Sequence, residues 1–383
     1  MPWEVSEIVN ERIRFVTRLE EGERMTDLCM EFGISRKTGY KFWNRYCLGG
    51  PQALFDESRR PAFHPRTTPE GIREFIIKFK LKHPTWGPRK LKAALEREYP
   101  DLNFPAQSTI GDILSRKGLV KPHGGRKRRR ASPTSLSESH APNQIWCADF
   151  KGEFRLGNHK YCYPLTISDH YSRYLLACEG LECTKTPGAK AVFEATFRKY
   201  GMPAIIRTDN GSPFASTGLA GLTKLSVWWM RLGIILERID PGHPEQNGRH
   251  ERFHLTLKQE TIRPAAHNFL QQQERFDRFQ DEYNQARPHE ALEMKMPFEV
   301  YTTSCKRFPE TLPVPEYPLH DTTKKVYSDG HVSCGKRKAC YISAALAGEQ
   351  VGLREVRDKH WLVSFMDKKL GYIDERIGKV MDE

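Results

Sequence analysis

Residues 241–254 read Pro-Gly-His-Pro-Glu-Gln-Asn-Gly-Arg-His-Glu-Arg-Phe-His, and the fold turns on how Glu251 is read. His250-Glu251-Arg252-Phe253-His254 spells H-E-x-x-H. Histidines at i and i+4 share a helix face, can bind one zinc ion, and leave the glutamate to polarise a water for peptide hydrolysis. The same glutamate lies downstream of Thr208-Asp209-Asn210-Gly211, where a strand ends in a tight turn. In that second reading Glu251 is itself a metal ligand beside other carboxylates. The zinc reading wants a third ligand, and only the isolated His267 offers itself. A peptidase also gives no reason for the basic and helix-turn-helix segments described below.

Working outward, two further acids stand where a hard divalent cation would want oxygen ligands. Asp149 sits mid-strand in Trp146-Cys-Ala-Asp-Phe150, where an acid among strand-forming apolar residues is costly to bury without a purpose. Asp209 closes the strand Ala204-Ile-Ile-Arg-Thr-Asp209, at the carboxyl end where mixed sheets form their ligand crevices. Glu251 stands 42 positions after Asp209 (251 − 209), and Glu245 stands 36 after it (245 − 209). Context favours Glu251, which follows Gly248 and lies inside a helix expected over Gln246–Thr261, whereas Glu245 occupies the loop. Between Asp209 and Glu251, Ala215-Ser-Thr-Gly-Leu-Ala-Gly-Leu222 is a small-residue stretch just before a helix, and it lengthens the spacing of the two acids.

W-x-x-D-F around Asp149, T-D-N-G-S-P-F around Asp209 and H-P-x-Q-N-G-x-x-E-R around Glu251 together resemble the acidic triad of DDE-type insertion-sequence transposases with a retroviral-integrase-like core. Tyr283-Asn-x-x-Arg-Pro-His-x-Ala-Leu292 is similar to that family's downstream element. The resemblance covers roughly residues 143–300. It implies a ribonuclease-H-like core with Asp149, Asp209 and Glu251 as catalytic metal ligands, and two Mg²⁺ (or Mn²⁺) ions per site. It also implies homo-oligomers on double-stranded DNA: the element's terminal inverted repeats and the target. The implied activity is metal-dependent cleavage at element ends followed by strand transfer. Two rivals share these residues: a transposase-derived DNA-binding regulator without catalysis, and a ribonuclease-H-like nuclease that hydrolyses without joining.

The rest of the chain fits a nucleic-acid enzyme. It has 383 residues with 61 basic against 48 acidic side chains, a formal charge of +13, which favours a polyanionic partner. No apolar run reaches the roughly 18 residues of a membrane span, and the N-terminus lacks the apolar core of a secretory signal. The nine cysteines include no C-x-x-C pair and read as reduced thiols. Taken with the resemblance, which implies a prokaryotic element, these features predict a cytoplasmic protein associated with the nucleoid.

Residues 1–60 predict a helix-turn-helix domain. A periodic helix over 5–20 precedes Met25–Phe32, a turn at Gly33-Ile34-Ser35, and a helix over Arg36–Tyr46 with Ser35 as N-cap. Ser35, Arg36, Lys37 and Lys41 are its DNA-binding candidates. Residues 66–121 predict a second helical, helix-turn-helix-like DNA-binding domain, with Thr68 and Ser108 as caps and Pro88 in a first turn. Residues 122–142 form a basic flexible linker in which Arg126, Lys127, Arg128, Arg129 and Arg130 are candidate phosphate contacts.

The catalytic core is expected over 143–300, in the order β-β-β-α-β-α-β-α. The third strand is expected over Arg173–Cys178, and Asn247 and Arg249 are candidate DNA contacts. His250 and His254 are expected to face DNA or to serve structurally, with His250 near phosphate. Asp169 reads as a turn cap, Trp146, Trp228 and Trp229 as core residues, and Arg287 and His289 as DNA contacts or as a lock for the last helix. Residues 301–383 predict a small all-β domain, tending to a barrel, with Lys336, Arg337 and Lys338 on a basic edge. The whole is a multidomain α+β chain: N-terminal helix-turn-helix units, a central ribonuclease-H-like mixed α/β core, and a C-terminal small all-β domain.

Overall fold

The computed structural model describes residues 8–56, 67–120, 136–240, 243, 246, 248–334, 338–374, 376 and 379–381. The expected linker cations Arg126–Arg130, the helix-entry Asn247 and the basic edge at 336–337 lie outside these residues, as does the side chain of Lys338. The chain divides into two compact units, residues 1–68 and 69–383.

The first unit holds α1 (Ile8–Glu20), α2 (Met25–Glu31) and α3 (Arg36–Gly49). Phe15, Val16, Leu28, Ile34, Phe42 and Leu54 form its core. The turn between α2 and α3 needs Gly33 at φ 62°, a conformation that costs a Cβ-bearing residue. Ser35 caps α3, its side chain accepting from Thr38 N at 3.2 Å. Gly39 lets α3 approach closely, since a Cβ there would sit 2.7 Å from Cys29 Sγ.

The second unit begins with α4 (Glu70–Lys82), α5 (Pro88–Glu98) and α6 (Gln107–Arg116), packed around Ile76, Trp86, Leu91, Leu95, Ile110 and Leu114. Two helix starts differ from expectation. Pro69 occupies the N-cap of α4 in place of Thr68, and α6 begins early, with Ala106 as N-cap and Ser108 inside its first turn.

The central sheet contains β1 (Ile145–Phe150), β2 (Phe154–Arg155), β3 (Tyr161–Asp169), β4 (Leu175–Leu181), β5 (Ile205–Thr208) and β6 (Ile235–Arg238). Its order is β2-β3-β1-β5-β6, with β4 also on β3. β1 runs antiparallel to β3 and parallel to β5, which is parallel to β6. β4 starts at Leu175 and not at Arg173, because Arg173 is in the turn at φ 65°.

Strand alternation divides the sheet's side chains between two layers. On one face, Trp146, Ala148, Leu165, Ile167 and Ile206 pack with α7 (Thr186–Tyr200) and α8 (Lys224–Arg231) through Phe193, Phe197, Trp228 and Trp229. On the other face, Cys162, Leu175 and Cys178 meet α9 (Gly248–Leu257) and α10 (Phe269–Gln285) through Phe253, Leu257, Phe276 and Tyr283. The helix expected over Gln246–Thr261 is therefore shorter at its start and widens into a π turn over Lys258–Ile262, ahead of Pro264. On α10, Gln273, Gln280 and Asn284 hydrogen-bond backbone groups of β4, satisfying a strand edge that would otherwise stay open.

A short α11 (Pro297–Val300) leads to the C-terminal strands β7 (Thr322–Lys325), β8 (His331–Cys334), β9 (Lys338–Tyr341), β10 (Gln350–Arg357), β11 (His360–Phe365), β12 (Lys368–Asp374) and β13 (Lys379–Met381). They form an open antiparallel ladder β13-β12-β11-β10-β7 and a separate β8–β9 hairpin, so the expected barrel is not closed by pairing among the described strands. The stretch over 215–222 has a packing role. Leu219, Ala220 and Leu222 join the C-terminal core of Val332, Val351, Val363 and Phe365.

Candidate metal centre

Asp149 and Asp209 are brought together by strand pairing. Ala148 is the register partner of Thr208, so the next residue on each strand is one of these acids, at the carboxyl ends of adjacent parallel strands. Adjacent strands lie about 4.8 Å apart, a spacing at which two carboxylates can share cations. Asp149 falls on the α9 face because Trp146 and Ala148 take the other. Asp209 is half-buried, and burial raises its carboxyl above the usual carboxylate value. Gly211 N donates to its Oδ1 at 3.1 Å, and a Cβ on Gly211 would lie 2.9 Å from Oδ2, so the loop stays tight only with glycine there. Asn210 Nδ2 ties the loop to Ile239 O at 2.8 Å.

Glu251 is exposed on the first turns of α9. It does not join the two aspartates in one tight cluster. Among the described residues, the three potential ligands whose donor atoms all lie within 4.8 Å of one another are Asp149, His250 and His254. Helical geometry accounts for this, since residues four apart share a face, and that face meets the sheet. Both histidines are buried, at 4% and 6% exposure, which removes the DNA-facing alternative, including His250 near phosphate, and leaves the structural one. Their Nε2 atoms lie 2.8 and 2.9 Å from Thr166 Oγ1. Thr166 is the register partner of Asp149 and donates to its carbonyl at 3.1 Å. His254 Nδ1 lies 3.8 Å from Asp149 Oδ2. Burial pushes the His250 imidazole down to about 4; burial, then His250 and Lys151, push His254 down to about 2. Both rings are therefore neutral at physiological pH.

The donor set fits a divalent ion: two carboxylates on adjacent strand ends, neutral imidazoles beside one of them, and a third carboxylate on the helix above. Thr166 and the inward direction of His254 were not legible from the local motif. The signal that could have found Thr166 is its antiparallel register with Asp149.

Of the predicted DNA contacts, Arg36, Lys37 and Lys41 are exposed on α3, while Ser35 acts through its cap. Arg249 donates from Nη1 to His170 Nε2 at 2.8 Å, and Arg207 Nη1 approaches the same nitrogen at 3.3 Å. Burial and these arginines push His170 down to about 3. Asp169 accepts from Asn143 N and from Ser172 N and Oγ, so it is a turn cap. Arg287 donates to Glu260 Oε1 at 2.7 Å, and Thr85 also donates to that oxygen. His83 Nδ1 lies 2.8 Å from Glu282. These contacts fasten the α4–α6 bundle to the π turn and to α10, and Arg287 serves as the lock.

Two profiles described as integrase core domain match residues 139–244 and 232–297. A helix-turn-helix profile matches residues 11–62 and a homeodomain-like profile residues 38–114. The chain thus carries an integrase core behind helix-turn-helix segments. The chain is similar to proteins of bacterial insertion elements and to a retroviral polyprotein. It is 26% identical over 251 residues to the uncharacterized 39.2 kDa protein of insertion element IS476 from Xanthomonas euvesicatoria, covering 62% of this chain and 66% of that protein. It is 26% identical over 235 residues to the uncharacterized 31.7 kDa protein of insertion element IS407 from Burkholderia multivorans, covering 58% and 78%. A third relative is the Gag-Pol polyprotein of baboon endogenous virus, 27% identical over 173 residues, covering 45% of this chain and 10% of the polyprotein. Among the described residues no helix is long and apolar enough to cross a membrane.

Proposed function

We propose that the chain cleaves DNA at the ends of its element and joins the freed ends to target DNA, with Asp149, Asp209 and Glu251 holding two divalent ions, Mg²⁺ or Mn²⁺. The observation that carries this reading is the placement of Asp149 and Asp209 at the ends of paired parallel strands inside the integrase-core match, beneath the helix that bears Glu251. Divalent ions at such a site activate the attacking oxygen and stabilise the leaving one. The protein's own task is to fix the carboxylates on rigid strand ends and to align DNA over them. Water attacks first at the element end, and the released 3′-hydroxyl then attacks the target. Both are in-line phosphoryl transfers without a covalent protein intermediate.

The binding roles follow from charge and position. Arg36, Lys37 and Lys41 reach DNA from the α3 surface that Ser35 starts, and Arg249 adds an exposed cation on α9, two residues before Glu251. Arg126, Lys127, Arg128, Arg129, Arg130 and Asn247 contact phosphate, which adds affinity without sequence choice. A homo-oligomer on double-stranded DNA pairs two element ends, in the cytoplasm of a prokaryote and at its nucleoid. The domain plan that goes with this role is two helical DNA-binding domains, a basic linker, the core and the β domain.

The test is Glu251→Gln, assayed on labelled element-end DNA with Mg²⁺. Cleavage and joining should both disappear while circular dichroism is unchanged; retention of both activities would sink the assignment. Wild-type protein that yields hydrolysed ends and no joined product would instead be a nuclease, and protein that nicks nothing would be a regulator.

A further inference from the structure

We propose that His254 supplies a nitrogen ligand, through Nδ1, to a divalent ion that it shares with Asp149 Oδ2, and that this makes the site favour Mn²⁺ and other imidazole-binding ions over Mg²⁺. The inference rests on the reading of Asp149 as a metal-holding carboxylate.

Hydrogen-bond accounting at Thr166 sets the ring. Its hydroxyl has one proton and two lone pairs. The proton goes to the Asp149 carbonyl, which can only accept. The Nε2 atoms of His250 and His254 must therefore donate to Thr166 Oγ1 at 2.8 and 2.9 Å. His254 is then protonated on Nε2 and carries its lone pair on Nδ1, the atom that faces Asp149 Oδ2.

The separation of those two atoms, 3.8 Å, is too long for a hydrogen bond. It suits a shared ion: two ligands each about 2.1 Å from one metal are about 3.4 Å apart at a tetrahedral angle and about 4.2 Å apart when opposed. A ligating histidine that donates its other N–H to a fixed oxygen is the usual supporting arrangement, and Thr166 is that oxygen. His250 has the second place on Thr166 and stands edge-on to His254, with ring centroids 4.6 Å apart and planes at 88°, which holds the His254 ring in position.

Ligand chemistry then sets preference. Mg²⁺ takes oxygen ligands and keeps its waters, whereas imidazole suits later transition ions, with Mn²⁺ tolerating either. The H-E-x-x-H spelling is thereby given a metal after all, with Asp149 in place of a distant third ligand.

The experiment uses full-length protein and Mn²⁺ alone. Pulsed electron paramagnetic resonance of the bound ion should show nitrogen coupling in the wild type. His254→Asn should lose that coupling, keep its circular dichroism, and narrow the ratio of Mn²⁺ to Mg²⁺ affinity by about tenfold or more. His250→Asn should retain the coupling. Bound Mn²⁺ without nitrogen coupling in the wild type would overturn the proposal, as would coupling that survives His254→Asn. Asp149→Asn separates the two readings. If it leaves Mn²⁺ binding intact, the carboxylate reading itself has failed; if it abolishes binding while the wild type shows no nitrogen coupling, only the histidine inference has failed.

Discussion

The two faces of the central sheet are built from the same strands and solve opposite problems. Towards α7 and α8, β1 and β3 present Trp146, Ala148, Leu165 and Ile167 to an aromatic layer of Phe193, Phe197 and Trp229. Towards α9 and α10, the alternate residues Asp149 and Thr166 meet two buried histidines, and Asn284 is buried nearby on α10. Ala148 and Asp149 are neighbours in sequence, yet one faces a hydrocarbon interior and the other a polar one. A pleat therefore separates a wholly apolar layer from one that sets a polar cluster beside its own apolar core of Leu175, Phe253 and Phe276. On the second face Thr166, His250, His254 and Asn284 each have a hydrogen-bond partner in position, as buried polar groups require.

The largest contrast should come from Asp209→Asn. Removing the carboxylate is expected to lower strand transfer by more than about a thousandfold, equal to about 4 kcal/mol of transition-state stabilisation. Thermal stability should hold or rise, because burial already disfavours the Asp209 charge. Loss of stability together with activity would mean that the acid serves the fold. On the apolar face, Phe197→Ala should do the reverse. Its fully buried ring packs against Trp146, Phe193 and Trp228, so chemical denaturation should show a loss of about 3–5 kcal/mol.

A pH series sharpens the comparison further. His250 and His254 have folded values of about 4 and about 2, both below the free value of 6.5 through burial. Between pH 6.5 and about 4 the unfolded chain takes up protons that the folded one refuses. Their neutral burial thus carries no linkage penalty above pH 6.5, and stability is lost as pH falls below it. The pair should remove about 3 kcal/mol between pH 6.5 and about pH 5, measured by urea midpoints in metal-free buffer. His250→Asn should halve the slope, and a flat profile across that window would show that the rings are hydrated.

How much of this was legible in the sequence depends on whether the signal was local. The strands around Asp149 and Asp209, the cap at Ser35 and the buried Trp228-Trp229 pair follow from short-range patterning. The expected caps at Thr68 and Ser108 failed because Pro69 and Ala106 take those backbone positions. The direction of His250 and His254 depends on which face of α9 meets the sheet, and their meeting with Thr166 depends on a pairing 17 residues back along the chain from Thr166 to Asp149. The role of residues 215–222 was also out of reach, because their packing partners, such as Val363, lie far along the chain. Side chains that answer each other across the sheet leave no periodic trace.

The smallest predicted effect tests the polar face at its centre. Thr166→Val keeps the side chain's shape and removes the one oxygen on which both imidazoles converge. Two buried N–H groups then lose their acceptor, an expected cost of about 2 kcal/mol. Ile167→Val is the matched control one residue along, on the apolar face, where losing one methylene should cost about 1 kcal/mol. Thr166→Ser should recover most of the difference because it restores the hydroxyl. If Thr166→Val costs no more than Ile167→Val, the hydroxyl adds nothing beyond packing, and the two faces differ in composition without differing in what holds them together.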